Sequence, residues 1–530
     1  YPSTARSPES LHPTLPLANR GALYFLDDWK LTSRLTLNLG VRWDYIGVPV
    51  DRGGGWRSLS FEKTFTAPDG RVLPIIIPVD IDKKGAIKLW EQEKRFVMPR
   101  VGIAYRPGNK WVMRAGGGWF ANVEHLNTFT ILANMPPFGG SQEFNSVTDA
   151  ARTISVTANA TNYNISTRRF RPGAPIVSFD DPFGGNATIR ASNLLRVLPN
   201  HHSPNHWQWS FDVQRELPFD TALTIGYVGS KTSNVGNTIA NFNSPDPLPD
   251  TNFQARRPTQ RFYDLGRVQD LAGLRVVDSF GNGFYHGLQA SLEKRYTRGL
   301  VYGFSYTFSK AHGDGESGGN EDGGFQNPRD RLGSRSRYSF DQTHSAVLHF
   351  VYELPFAKGL RGVAGALLQG WQTNGILTIR TGFPMTVNQG QDLNTGSGPV
   401  RPDRLADGQL GDDATRRRWF DATAFRRVSC NIPGRLDLCH YGSSGRAIFD
   451  TPGVRTLDFS AYKNFAIRES MKLQFRAESF NTTNNPYFGS PNGITFSTIN
   501  STVPDGPRDA EVRSLRTPMR IIQFGLKSFF

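Results

Sequence analysis

The chain ends in the segment Met519–Phe530, which reads MRIIQFGLKSFF. Alternate positions counted back from the end carry Phe530, Ser528, Leu526, Phe524 and Ile522, and the positions between them carry Phe529, Lys527, Gly525, Gln523 and Ile521. A period of two residues rather than 3.6 is typical of a β-strand, here with one almost wholly apolar face and one mixed face. The segment is therefore either the edge strand of a soluble β-sandwich or the last strand of a membrane barrel, which faces lipid outside and a polar lumen inside.

The bulk composition is compatible with either kind of protein. The chain has 530 residues, of which 38% are hydrophobic and 12% aromatic, and its mean hydropathy is −0.43. No apolar run approaches the roughly 18 residues that a transmembrane helix needs, but a barrel strand needs only alternate apolar residues. The N-terminal YPSTARSPES lacks a basic head followed by an apolar core, so we expect no signal peptide and a chain that is mature, truncated or part of a longer protein.

The net charge of +15 is spread along the chain rather than concentrated in one block. Nucleic-acid binding is the usual alternative for so basic a protein, but the sequence has no RNP-like, zinc-finger or basic-helix pattern, and we expect no nucleic-acid partner. Many arginines fall at predicted turns and strand ends, where lipid headgroups or lipopolysaccharide phosphates would attract them. A generally basic solvated surface is the simpler explanation for any single arginine.

A hairpin unit of two alternating segments recurs along the chain. The first unit, Gly21–Gly47, contains Leu35, Leu37, Leu39, Val41, Trp43 and Tyr45 at alternate positions. The later predicted strands are Arg95–Arg106, Lys110–Phe120, His206–Leu217, Thr221–Gly229, Phe284–Tyr296, Leu300–Lys310, Gln342–Leu354, Gln369–Thr381, Thr456–Ile467, Lys472–Asn481 and the terminal strand. Together they make about six hairpins and one further strand, each near the ~9–11 residues that span a membrane at a tilt.

Short turns and long loops alternate strictly between these strands. Outer-membrane barrels have this asymmetry, with short periplasmic turns and long extracellular loops, whereas a soluble β-protein has no reason for it. Aromatic residues near predicted strand ends favour the headgroup layer. They are Trp29, Trp43, Trp111, Trp119, Trp207, Trp209, Tyr296 and Trp371. The sequence therefore predicts an all-β transmembrane antiparallel barrel in the bacterial outer membrane, with about thirteen strands visible.

Cys430 and Cys439 enclose the turn-rich segment NIPGRLDL. In an oxidising compartment, a small loop-closing disulfide is the natural interpretation. A metal site is the weaker alternative, because His440 is adjacent but no second ligand pair follows.

Two further clusters are weak candidates for metal sites, and no catalytic motif is present, so we do not expect an enzyme. Asp314, Glu316 and Asp322 lie in a Gly-rich loop whose hard oxygen ligands suit Ca²⁺, although the spacing is not that of an EF-hand and a solvated acidic loop is the simpler interpretation. His201, His202 and His206 are close in sequence and are either transition-metal ligands or residues of a polar loop.

The strand alternation also predicts polar residues that face the lumen. These are Arg42, Asp44, Gln208, Asp212, Gln289, Glu293, Gln474, Arg476 and Glu478. We expect them to line the channel, where they form hydrogen bonds and charge pairs.

Several segments in order resemble one family, the TonB-dependent outer-membrane receptors, and within it the Oar-like branch. They are YFLDDWKLTSRLTLNLGVRWD (24–44), MPRVGIAYRPGNKWVMRAGGGWF (98–120), NHWQWSFDVQRELPFDTALTIGYVGSK (205–231), YHGLQASLEKRYTRGLVYGFSYTFSKA (285–311), YGSSGRAIFDTPGVRTLDFSAYKNF (441–465), FNTTNNPYFGSPNG (480–493) and the terminal strand. The resemblance covers most strands, while the long loops match little.

The resemblance implies a barrel of about twenty-two strands with a plug in its lumen, which the lumen-facing residues would contact through hydrogen bonds and charge pairs. Residues 1–20 are then an irregular lead-in from missing upstream barrel, and residues 21–530 are the C-terminal part of the barrel. It also implies that the terminal strand ending in Phe530 is an assembly signal for the barrel-assembly machinery, and that the TonB complex acts through a missing N-terminal region. No cofactor is implied.

The expected function is TonB-dependent uptake of a scarce solute, with outer-membrane lipid and lipopolysaccharide around the barrel. A passive pore or surface-adhesion barrel is the alternative, and a secreted all-β binding protein is a third. A plug and a TonB-contact motif upstream would separate the first two, and extraction only with detergent would exclude the third.

Overall fold

The architecture was determined from a computed structural model. It describes residues 4–6, 14–66, 72–79, 86–94, 96–123, 126–134, 141–143, 163–164, 169–170, 194–239, 242–257, 274–314, 325–330, 332–356, 359–390, 392–396, 400–468, 471–495, 502–504, 506 and 509–529.

Thirteen strands form one antiparallel meander, in which each strand pairs with the next along the chain. They are β1 Arg20–Thr32, β2 Leu35–Ile46, β3 Val97–Gly108, β4 Trp111–Ala121, β5 Asn205–Leu217, β6 Thr221–Ile239, β7 Leu274–Thr297, β8 Leu300–Gly313, β9 His344–Glu353, β10 Trp371–Arg380, β11 Val454–Arg468, β12 Met471–Phe480 and β13 Ile521–Phe529. Two short strands complete this sheet, Leu194–Val197 beside β7 and Ser336–Arg337 beside β8. The predicted all-β fold with thirteen visible strands is confirmed.

The connections differ sharply between the two ends of the sheet. At one end they are short, and only the β9–β10 connection is long enough to carry a helix, Gly362–Leu368. At the other end they are long and comprise residues 47–96, 122–204, 240–273, 314–343, 381–453 and 481–520. We call residues 314–343 the acidic loop, 381–453 the disulfide loop and 481–520 the last loop.

The register sorts the strand side chains onto two faces, because residues directly opposite each other point to the same side. On β7 and β8, Leu288 lies opposite Phe308 on the outer face, and Gln289 lies opposite Thr307 on the inner face. Leu288 and Phe308 are 46% and 48% exposed. Because this apolar face continues across the sheet, it requires hydrocarbon surroundings.

The structure differs from the prediction beyond the outer end of β6 and β7. The sequence predicts that β6 ends at Gly229 and that β7 begins at Phe284, but the two strands stay paired as far as Ile239 and Val276. The register shifts around Val235. The apolar alternation stops where the strands leave the hydrophobic layer, but the backbone pairing continues. The sequence pattern therefore does not reveal this additional length of paired strand.

The long loops contain buried cores of their own. One core packs Trp56, Trp90, Phe129, Leu195 and Val276 from two loops and the start of β7. Another packs Phe420, Phe425 and Phe449 of the disulfide loop against Ile494 and Ala510 of the last loop. The described parts of these loops therefore form packed layers at their end of the sheet.

Short elements complete the fold. The paired strands are Thr4–Arg6 with Ser141–Glu143, Pro16–Leu17 with Val50–Asp51, Arg57–Thr66 with Val72–Pro78, Tyr163–Asn164 with Arg169–Phe170, Pro384–Met385 with Phe449–Asp450, and Asp403–Arg404 with Phe425–Arg426. The remaining helical turns are Leu126–Asn134, Phe253–Arg256, Leu332–Ser334, Gly411–Asp413, Ala422–Ala424 and Leu436–Leu438. None of the helices described is long and apolar enough to cross a membrane.

We predict that Leu288→Arg destabilises the barrel in phospholipid vesicles by about 2–4 kcal/mol, because it places a charge in hydrocarbon near the middle of β7. The neighbouring Gln289→Arg adds the same charge to the inner face and should shift stability by under about 1 kcal/mol. The folded fraction across a urea series, measured by heat-modifiable gel mobility, compares the two. Equal shifts would show that the two faces have been assigned wrongly.

Candidate functional site: the inner face and the long loops

All nine residues predicted to face the lumen lie on the inner face. The register aligns Asp212 with Arg114, Gln289 with Gly226 and Thr307, and Glu478 with Ser460 and Gln523. The full set is Arg42, Asp44, Gln208, Asp212, Gln289, Glu293, Gln474, Arg476 and Glu478. The meander therefore has one apolar and one polar surface.

Polar groups on the inner face bond to one another. Arg42 Nε lies 2.7 Å from Asp44 Oδ1, and Arg114 donates to Asp212 at 3.2 Å and to Gln214 at 3.3 Å. Near the C-terminus, Arg476 Nη2 donates to the Tyr462 hydroxyl at 2.8 Å, which in turn donates to Glu478 Oε1 at 3.0 Å. Such networks line a water-filled interior at little desolvation cost, because the partners compensate each other.

The aromatic residues predicted near strand ends form two belts. Trp43, Trp119, Trp207 and Trp209 lie toward the long-loop end, whereas Trp29, Trp111, Tyr296 and Trp371 lie toward the short-turn end. Trp119 and Trp207 stack with ring centroids 5.9 Å apart, and the Arg215 guanidinium lies 4.7 Å from the Trp111 ring. Amphipathic rings at two levels fit the two interfaces of a bilayer.

Cys430 and Cys439 form a disulfide within the disulfide loop, with their Cα atoms 4.3 Å apart. Backbone bonds fix the same turn, since Ser429 N–H donates to Leu438 O at 2.8 Å and Cys430 N–H donates to Asp392 O at 2.9 Å. The cysteines pack with Leu393, Val400, Val428 and Tyr441. Burial raises the pKa of the Tyr441 hydroxyl to about 12.

Three phenylalanine rings join the disulfide loop to the last loop. Phe420, Phe425 and Phe449 lie with their centroids 5.0 to 6.0 Å apart. The backbones of the two loops are also linked, because Trp419 N–H donates to Ala510 O at 3.0 Å and Val512 N–H donates to Arg416 O at 2.8 Å. The two loops therefore behave as one packed unit.

Arg401 connects the disulfide loop to the acidic loop. Its backbone N–H donates to Gln326 Oε1 at 3.0 Å, and its Nη2 donates to Gly333 O at 3.2 Å. The Gln326 amide also donates to Gly442 O at 2.8 Å, which locks the two loops together. Burial, with Arg446 nearby, lowers the pKa of Arg401 to about 10, so the guanidinium stays charged at neutral pH.

Asp403 is the most heavily bonded carboxylate of the disulfide loop. It is buried, and it accepts from Arg426 at 2.8 Å, from Ser443 N–H at 3.1 Å and from the His440 imidazole at 3.1 Å. Burial alone would raise the pKa of Asp403, but the hydrogen bonds from Arg426, His440 and Ser443 lower it overall. The ionised carboxylate thus holds three parts of the loop together.

The three histidines that are candidate metal ligands contact different side chains in the structure. His201 packs on Trp90, His202 contacts Glu93 at 3.0 Å, and His206 stacks on Phe120 on the inner face. Asp314 is buried at the end of β8, whereas Glu316 and Asp322 lie outside the described residues. No group of three potential ligands suited to a metal occurs in the part of the chain that the structure describes. Phe530, the predicted assembly signal, also lies outside those residues.

Sequence reasoning missed Arg401, Asp403 and the phenylalanine core. Asp403 lies 23 residues from its partner Arg426 along the chain, and Arg401 lies 75 residues from its partner Gln326. The loops have no periodicity that relates such positions, so only the disulfide was recognisable in this region.

We predict that replacing both cysteines, Cys430→Ser with Cys439→Ser, loosens the disulfide loop without unfolding the barrel. Closing so short a loop is worth about 2–3 kcal/mol. Hydrogen exchange of peptides covering residues 425–445 should become faster by a factor of several tens. Peptides that contain Trp56 and Trp90, from the other loop core, serve as an internal control. Unchanged exchange in the disulfide loop would show that packing alone orders it.

We predict that Asp403→Asn accelerates proteolysis of the disulfide loop at neutral pH by at least about tenfold, because hydrogen bonds to a buried charge are lost. The pKa of Asp403 is lower in the folded state than in the unfolded state. Its contribution to the stability of the folded loop is therefore fully present above the unfolded pKa of about 3.9, and it is lost as pH falls through the folded pKa. The ratio of the cleavage rate of the variant to that of wild type is measured with thermolysin near pH 7 and with pepsin between pH 4 and pH 2. The control is Asp407→Asn, which removes an exposed carboxylate from the same loop; a ratio independent of pH would contradict the assignment.

Comparisons with known proteins place this arrangement in a family. Searches of curated protein sequences gave no match. Among solved structures, the chain is similar to the outer membrane transporter YddB from Escherichia coli, with 9% identity, a TM-score of 0.43, and coverage of 97% of this chain and 54% of that one. It is also similar to the pyoverdine outer membrane receptor FpvA from Pseudomonas aeruginosa PAO1, with 10% identity, a TM-score of 0.41, and coverage of 98% and 43%.

The chain thus spans about half the length of these structures. The family described as "Outer membrane beta barrel domain" matches residues 1–523, nearly the whole chain. The chain belongs to this outer-membrane β-barrel family, and it is an integral protein of the bacterial outer membrane, with its long loops extracellular and its short turns periplasmic.

Proposed function

We propose that the chain is the C-terminal barrel part of a TonB-dependent receptor of the Oar-like branch, which takes up a scarce solute across the outer membrane. The observation that carries this proposal is the packing of the extracellular loops above a polar inner face: a disulfide closes one loop, and a phenylalanine core and the Arg401 contacts join that loop to its neighbours. Loops ordered before they meet a ligand lose less conformational entropy on binding. A siderophore, a glycan and a peptide are the solute classes to test.

Strand direction supports additional barrel strands upstream. Because thirteen strands alternate in direction, β1 and β13 run the same way and are not antiparallel neighbours. Antiparallel closure between them therefore needs an odd number of further strands. A barrel of about twenty-two strands adds nine to these thirteen, which meets the requirement. Residues 1–20 then lead in from that upstream part, which also carries the plug and the TonB-contact motif.

Two partners belong to this proposal. The TonB complex transmits the energy of the inner-membrane proton gradient to the plug. The barrel-assembly machinery recognises the terminal strand, including Phe530, during insertion.

The test uses the native protein extracted from outer membranes. We expect an intact mass far above 59.0 kDa, binding of the purified periplasmic part of TonB, and no steady conductance in planar bilayers because the plug closes the lumen. A mass near 59.0 kDa with stable conductance and no TonB binding would overturn the proposal in favour of a passive pore. The same mass without conductance would favour an adhesin.

A further inference from the structure

A groove of about 770 Å³ lies at the periplasmic end of the sheet, between the β5–β6 and β7–β8 turns. Its apolar lining includes Leu217, Leu292 and Leu300. The register places Leu217 and Leu292 on the outer face with Lys294, Tyr302 and Tyr352. The groove therefore opens on the surface that contacts lipid, at the height of one aromatic belt.

Two cations stand at the turn end of this groove. Lys294 Nζ donates to Phe219 O at 2.8 Å and also bonds to the Thr297 hydroxyl, so its ammonium is held at the groove. Arg298 is exposed at a left-handed turn position, with φ 52°, and it makes no hydrogen bond or ion pair with the residues that the structure describes. Asp220 is the acidic residue of the lining, so the cations are in excess.

The groove is thus amphipathic along its length. Leucines line its membrane side, the Tyr302 and Tyr352 rings flank it, and Lys294 and Arg298 stand where a bilayer places its phosphates. We propose that this groove binds one anionic glycerophospholipid of the periplasmic leaflet, with the phosphate against Lys294 and Arg298 and an acyl chain along the leucines.

The neighbouring periplasmic surface continues this contact with lipid. A second groove, of about 830 Å³, shares Arg298 and is lined by Tyr296, Phe356 and Trp371. The Trp371 indole N–H donates to Leu367 O of the helix Gly362–Leu368 at 3.0 Å. In that helix Val363 and Leu367 are 77% and 57% exposed. Apolar side chains beside an aromatic belt are typical of a segment that rests in the headgroup region.

The periplasmic position selects the lipid. Lipopolysaccharide occupies the opposite leaflet, beside the extracellular loops, so the occupant is a phospholipid rather than lipopolysaccharide. A net negative headgroup such as phosphatidylglycerol should bind more tightly than zwitterionic phosphatidylcholine, because two basic side chains near a surface favour anionic lipid additively.

Native mass spectrometry of the full-length protein, extracted from outer membranes, delipidated in detergent and titrated with each lipid, tests the site. We expect wild type to bind phosphatidylglycerol at least about tenfold more tightly than phosphatidylcholine. The double variant Lys294→Gln, Arg298→Gln should lose this preference to within about threefold while keeping its heat-modifiable gel mobility. The matched control Arg34→Gln, Lys110→Gln removes two charges from other periplasmic turns and should keep the preference.

Three results would overturn the site. Equal affinity of wild type for both lipids would show that the groove has no headgroup selectivity. Equal loss of preference in the control variant would show that diffuse surface charge is responsible. Displacement of bound phosphatidylglycerol by an equal concentration of inorganic phosphate would show that the cations bind free anions rather than lipid.

Discussion

Backbone hydrogen bonding inside hydrocarbon is the constraint on which this structure depends. Without water, every strand N–H and C=O must pair with a neighbouring strand, since an unpaired group costs several kcal/mol. The thirteen-strand meander meets this demand through continuous registers such as that of β5 with β6, which runs from Asn205–Ser233 to Leu217–Thr221. Once the strands are paired, the two-residue period alone decides which side chains meet lipid and which meet the lumen.

That dependence explains why the barrel was predictable from the sequence. Phe304, Tyr306 and Phe308 alternate with Ser305 and Thr307 because β8 faces two different solvents, and the register confirms both faces. The strand count and the inner-face residues followed from the same local rule. The outer ends of β6 and β7 did not, because beyond Gly229 pairing continues without a lipid face to impose the alternation.

The loops obey a different rule, and a local pattern does not reveal it. The phenylalanine core joins residues 420 and 510, and Arg401 meets Gln326 in another loop. Burial of this kind depends on which loops the barrel brings to the same end, which is a property of topology rather than of spacing. The two cysteines were the exception, because their pairing requires only nine positions of separation and an oxidising compartment.

The separation of these two rules bears on how the uptake function that we propose would work. On the inner face, groups such as Tyr462, Arg476 and Glu478 already bond to one another, so a passing solute exchanges partners rather than satisfying unpaired groups. For the proposed uptake function, such a lining would bind a solute weakly, which would favour transit, since a pore must release what it admits. Tight capture would then belong to the extracellular loops, whose cores are independent of the membrane. Their surfaces are therefore free to diverge while the strands stay fixed by hydrocarbon.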